Sequence, residues 1–97
     1  MTEPRHPGTV LKEDYMDPSG LSARRLAKGL KIHVSRISAL VRGDRDMTPE
    51  TALELEGYFG RPLEYWLQLQ LVLDAHRVRT ASHAKAKARA TRPSRSA

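Results

Sequence analysis

Cysteine is absent from this 97-residue chain, which excludes disulfides, thiolate metal sites and a cysteine nucleophile. No apolar run approaches the roughly 20 residues a membrane span needs, and the opening MTEPRHPG has no signal-peptide core. These absences give the expectation of a cytoplasmic protein without a membrane partner. Catalytic signatures are missing too: there is no glycine-rich phosphate loop and no His-x-x-x-His pair. His33, His76 and His83 are scattered, and Glu54 and Glu56 stand two apart, where helical side chains face different ways. His6 has no second ligand at a useful spacing. The expectation is a chain with no catalytic residue, no metal and no cofactor, and so not an enzyme.

Charge, by contrast, is plentiful and unevenly placed. The net +6 and pI near 10.2 come from the end of the chain, where residues 76–97 hold seven bases and no acid while residues 1–75 hold ten bases against eleven acids. Within the body, Ser22 to Arg45 carries seven bases and one acid, and Asp46 to Asp74 carries six acids and one base. Local charge is therefore more informative than the total. A chain this short builds one small domain with a modest core, for which oligomerisation is a natural source of further burial.

The basic stretch coincides with a pattern of helix signals. Ser22 is a good N-cap, Leu26 and Ala27 share a face, and this helix is expected to run to about Gly29. A second fits His33 or Val34 to Arg42, with Ile37, Leu40 and Val41 spaced by three and four and Gly43 as its stop. Two helices so close must cross steeply, and Ala27 is small enough for the crossing point. That is helix-turn-helix spacing. The outward positions of the second helix, Ser35, Arg36, Ser38, Ala39 and Arg42, are small residues and bases with no acid among them. A helix lying in the major groove needs short donors or apolar atoms toward base edges and cations toward phosphates.

Around this unit, Pro7 begins a helix expected to reach about Met16, with Val10, Leu11 and Tyr15 inward, before Asp17-Pro18-Ser19-Gly20 breaks it. Thr48 and Pro49 start another, which Gly60 ends, with Ala52, Leu53, Leu55 or Glu56, and Phe59 as its expected buried stripe. From Pro62 a long helix reads to roughly Arg79. One stripe on it holds Leu63, Trp66, Leu67, Gln70 and Leu73; another holds Tyr65, Leu69, Val72 and His76. A domain this small cannot bury both, so a two-fold dimer contact through Leu69, Leu71, Val72 and His76 is expected. The organisation read from these signals is a flexible 1–6, a folded 7–81 and a basic disordered tail, 82–97. The tail is either inert, a non-specific grip on DNA, or a segment that orders on a partner.

Leu26-Ala27, Ser35-Arg36-Ile37-Ser38 and Gly43 resemble the lambda-repressor-like, XRE-type helix-turn-helix. His6-Pro7-Gly8, Thr48-Pro49-Glu50-Thr51-Ala52-Leu53 and Trp66-Leu67-Gln68-Leu69-Gln70 narrow the likeness to the HigA (VapI-like) antitoxins, over roughly residues 5–80. The resemblance implies an all-α, five-helix lambda-repressor-like domain with a long C-terminal helix through which the chain forms a homodimer. It also implies a palindromic double-stranded DNA operator in the chain's own promoter and a co-encoded HigB-type mRNA endoribonuclease toxin to be neutralised. The alternative is a stand-alone XRE-type regulator with no toxin. Val34, Ser35, Arg36, Ser38 and Ala39 are the expected base contacts, and Ser22, Arg24, Arg25, His33, Arg42 and Arg45 the expected backbone contacts. Lys31 stands where relatives usually carry glycine, a turn position that often needs a left-handed backbone.

Overall fold

Capping chemistry divides the chain into helices. The computed structural model describes residues 3–90, with side chains through residue 82. It holds α1 (Pro7–Val10), α2 (Ala23–Leu30), α3 (Val34–Val41), α4 (Pro49–Phe59) and α5 (Leu63–Ala90), with no strand among the described residues. Four of these starts are closed by a side chain that accepts from an otherwise orphaned backbone N–H. His6 Nδ1 accepts from Gly8 at 2.9 Å, Ser22 Oγ from Arg25 at 3.1 Å, His33 Nδ1 from Ser35 at 3.1 Å and Thr48 Oγ1 from Thr51 at 3.3 Å.

The first helix departs from the expected single α-helix to Met16. After Val10 the chain widens into a π turn, Leu11–Met16, and then tightens into a 3₁₀ turn, Asp17–Ser19. Leu11 and Met16 are both buried. Residues five apart lie on different sides of an α-helix, roughly 140° apart, whereas a π turn stacks them. The widened turn brings both into one core.

That core joins Leu11 and Met16 to Leu26, Ala27, Ile37, Leu40, Met47, Ala52, Leu55 and Trp66. Trp66 is fully buried, its ring 5.0 Å from those of Tyr15 and Tyr65. The Tyr15 and Tyr65 hydroxyls share a hydrogen bond of 2.8 Å, tying the first helix to α5. Burial pushes the Tyr65 phenol up to about 12, and its bond with Tyr15 adds to the shift. On the surface, the Arg5 guanidinium beside Asp14 holds that carboxyl below the usual carboxylate range.

Two expectations need correction here. Leu53 is 55% exposed, and Leu55 is the buried residue. Ala52, Leu55 and Phe59 follow the three-and-four spacing of one stripe, and Leu53 falls outside it. Glu56 has a separate task, its carboxylate accepting from the backbone N–H of Leu63 at 2.8 Å and so fixing the turn into α5. The second correction concerns α5, which continues to Ala90 instead of ending near Arg79. The Ala-Lys-Ala-Lys-Ala-Arg-Ala run, read as the start of a disordered tail, consists of strong helix formers and propagates a helix already nucleated by packing. Residues 91–97 of that expected tail, and residues 1 and 2 of the expected flexible N-terminus, lie outside the described residues.

Candidate nucleic-acid interface

Leu26 and Ala27 on α2 meet Ile37 and Leu40 on α3, all buried, with the alanine permitting the steep crossing. The turn between the helices passes through Lys31 at φ 60, ψ 41, a left-handed conformation. The expected backbone is therefore present without the expected glycine, at a cost on the order of 1 kcal/mol. At the other end, α3 stops as Gly43 turns to φ 82.

With Ile37 and Leu40 sealed inside, helical geometry places Ser35, Ala39 and Arg42 on the opposite side of α3. Ser35 and Arg42 are exposed; Arg36, Ser38 and Ala39 are half-buried. Val34 is half-buried and packs against the core, so its outward face is narrower than the sequence suggests. Arg24, Arg25, Lys28, Lys31 and Arg45 are all exposed around this helix.

The expected contact residues carry prior engagements, of which only the Ser22 N-cap was legible in the sequence. Ser22 is exposed, and with its oxygen accepting from Arg25 it retains a hydroxyl proton to donate. His33 Nδ1 accepts from Ser35 N–H and lies 2.8 Å from Ser35 Oγ. With Nδ1 as acceptor, the neutral ring keeps its proton on Nε2, available to a phosphate. Arg42 Nε donates to Asp44 Oδ2 at 3.0 Å across the loop, and both side chains remain 63% exposed.

Arg36 is the most constrained of the set. Its Nη2 donates to Thr51 Oγ1 at 2.7 Å and stands 3.5 Å from Glu54 Oε1, both on α4. A bidentate approach to guanine would require this guanidinium to leave α4, so in the unbound chain Arg36 braces α3 against its neighbour. Thr51 and Glu54 thus shape the interface although sequence reasoning missed them. Their spacing of three, which puts both on one flank of α4, was the available signal.

Gly8 was read only as part of a family landmark, and its packing role was not. A Cβ there would overlap the carbonyl oxygen of Leu40, so the start of α1 lies directly on the backbone of α3.

Of the residues expected at a dimer contact, Leu71 and Val72 are exposed, while His76 is half-buried. Leu69 is half-buried against the core. Leu69 and Leu71 point about 200° apart on α5, so they do not share one flat face. Val78, 69% exposed, extends the Leu71 side.

The profile of the helix-turn-helix family matches residues 13–66. Virulence-associated protein I of Dichelobacter nodosus is 48% identical over 69 residues, covering 71% of this chain and 64% of that protein. The chain thus spans slightly less than two thirds of that relative's length. Among solved structures, an addiction module antidote protein of a HigA family from Coxiella burnetii is 35% identical with a TM-score of 0.81, covering 96% of this chain and 100% of that one. The Pseudomonas aeruginosa antitoxin HigA, solved with the higBA promoter, is 26% identical with a TM-score of 0.76, covering 97% of this chain and 99% of that one.

Proposed function

The chain belongs to the helix-turn-helix family, and on that premise we propose that it is the antitoxin of a type II toxin–antitoxin system, a dimeric autorepressor that also neutralises a HigB-type mRNA endoribonuclease. The observation that carries the DNA-binding part is the recognition helix itself. Ile37 and Leu40 lock one side into the core, and the opposite side offers Ser35, Ala39 and Arg42 amid exposed bases on α2 and in the following loop. A small, acid-free surface flanked by cations matches a groove whose walls are phosphate and whose floor offers donors, acceptors and thymine methyls.

On this reading Ser35, Ser38 and Ala39 meet base edges, with Val34 at the rim and Arg36 joining them if it releases Glu54. Ser22, Arg24, Arg25, His33, Arg42 and Arg45 hold the sugar-phosphate backbone. Two copies joined through α5 present their recognition helices about 34 Å apart, one DNA turn, to the halves of a palindromic operator. The HigA-family antidote and the promoter-bound HigA among the similar structures support this reading.

Selection from randomised duplexes with the purified chain is the test. The expected product is a two-fold symmetric site with half-site centres one turn apart; recovery of no consensus contradicts the DNA-reading role. Co-expression with the small basic protein encoded beside it should yield a stable complex and restore growth. A chain that selects an operator but has no such neighbour is the stand-alone regulator.

A further inference from the structure

The loop leaving the recognition helix carries two acids, Asp44 and Asp46, into a region where phosphates would lie, and their repulsion has to be contained. Asp44 is compensated by Arg42 at 3.0 Å. Asp46 is met from two other elements. His6, whose side chain is only 9% exposed, uses Nδ1 to accept from Gly8 N–H, so the neutral ring carries its proton on Nε2. That nitrogen is buried, has no hydrogen-bond partner, and faces Asp46 Oδ1 at 3.6 Å. Arg77 Nη1, from α5, stands 3.6 Å from the same oxygen and 3.9 Å from Asp74 Oδ1. The imidazole also lies beneath Gly43, whose added Cβ would come within 3.9 Å of His6 Cδ2. Next along the loop, the backbone N–H of Met47 donates to the buried Gln70 Oε1 at 2.8 Å.

We propose that His6 and Arg77 are positioning residues for operator binding: together they draw the Asp46 carboxylate toward the protein, so that the loop presents Arg45 to the backbone without an opposing negative charge. The inference rests on the DNA-binding reading above. It gives the His-Pro-Gly start of α1 a role in the interface, because Gly8 seats the helix on α3 while His6 controls the loop that α3 feeds.

The test is a double-mutant cycle on the duplex selected by the wild-type chain, read by fluorescence anisotropy. Arg77→Gln is half-exposed at the surface and should leave the melting temperature nearly unchanged, yet weaken binding about fivefold, the upper range for an exposed charge interaction. Asp46→Asn should improve wild-type binding only slightly and recover most of the loss in the Arg77→Gln background. Arg79→Gln, which removes the same charge from an exposed site on α5, should show a smaller effect and no coupling to Asp46→Asn. Equal factors for Asp46→Asn in both backgrounds overturn the positioning role while leaving DNA reading intact. Failure of the wild-type chain to select any duplex overturns both.

Discussion

A methyl group added to Gly8 meets the backbone carbonyl of Leu40, which no side-chain rotation relieves. Gly8→Ala is therefore expected to lower unfolding free energy by about 2 kcal/mol or more, in the upper range for overpacking, as measured by urea denaturation. A wild-type midpoint would contradict the direct seating of α1 on α3. Residue-level legibility was mixed for a physical reason. The left-handed position at Lys31 was legible only through the family resemblance, since lysine itself does not signal it, and Lys31 adopts φ 60. Arg36 was readable as an outward base but not as a brace, since its partner Thr51 lies fifteen residues away in sequence. Local rules do not report which distant carboxylate or hydroxyl a long side chain will find.

Among the elements, α2 and α3 were legible from caps, stops and spacing, because those signals act within a few residues. The π turn at Leu11–Met16 was not, since the demand that Leu11 and Met16 share one core arises only on packing. The end of α5 was also hidden: alternating alanine and base suits a solvated tail and a helix equally, and attachment to a packed helix decides between them. The exposed apolar side of α5 was half legible. Exposure separates Leu71, Val72 and Val78 from the core-packed Leu69. Leu71→Glu is expected to shift the chain from dimer to monomer in sedimentation equilibrium while retaining its helical circular dichroism. An unchanged dimer mass would move the interface away from that side of α5.

Across the molecule, charge and shape divide the labour. Bases from Ser22 to Arg45 surround the recognition helix, acids follow from Asp46 to Asp74, and bases return after His76. This alternation was fully legible, yet its meaning depended on the fold, which brings Arg36 to Glu54, Arg42 to Asp44 and Arg77 to Asp46 and leaves Arg24, Arg25 and Arg45 exposed. The central claim is that the side of α3 opposite Ile37 enters the major groove. It is tested most directly by titrating Ala39→Glu against the selected duplex and a scrambled one, with circular dichroism as the check on folding. The account predicts a folded protein whose affinity for the selected duplex falls by a factor of about 1,000 or more, to the level of the scrambled one. Affinity and discrimination equal to those of the wild-type chain would contradict it.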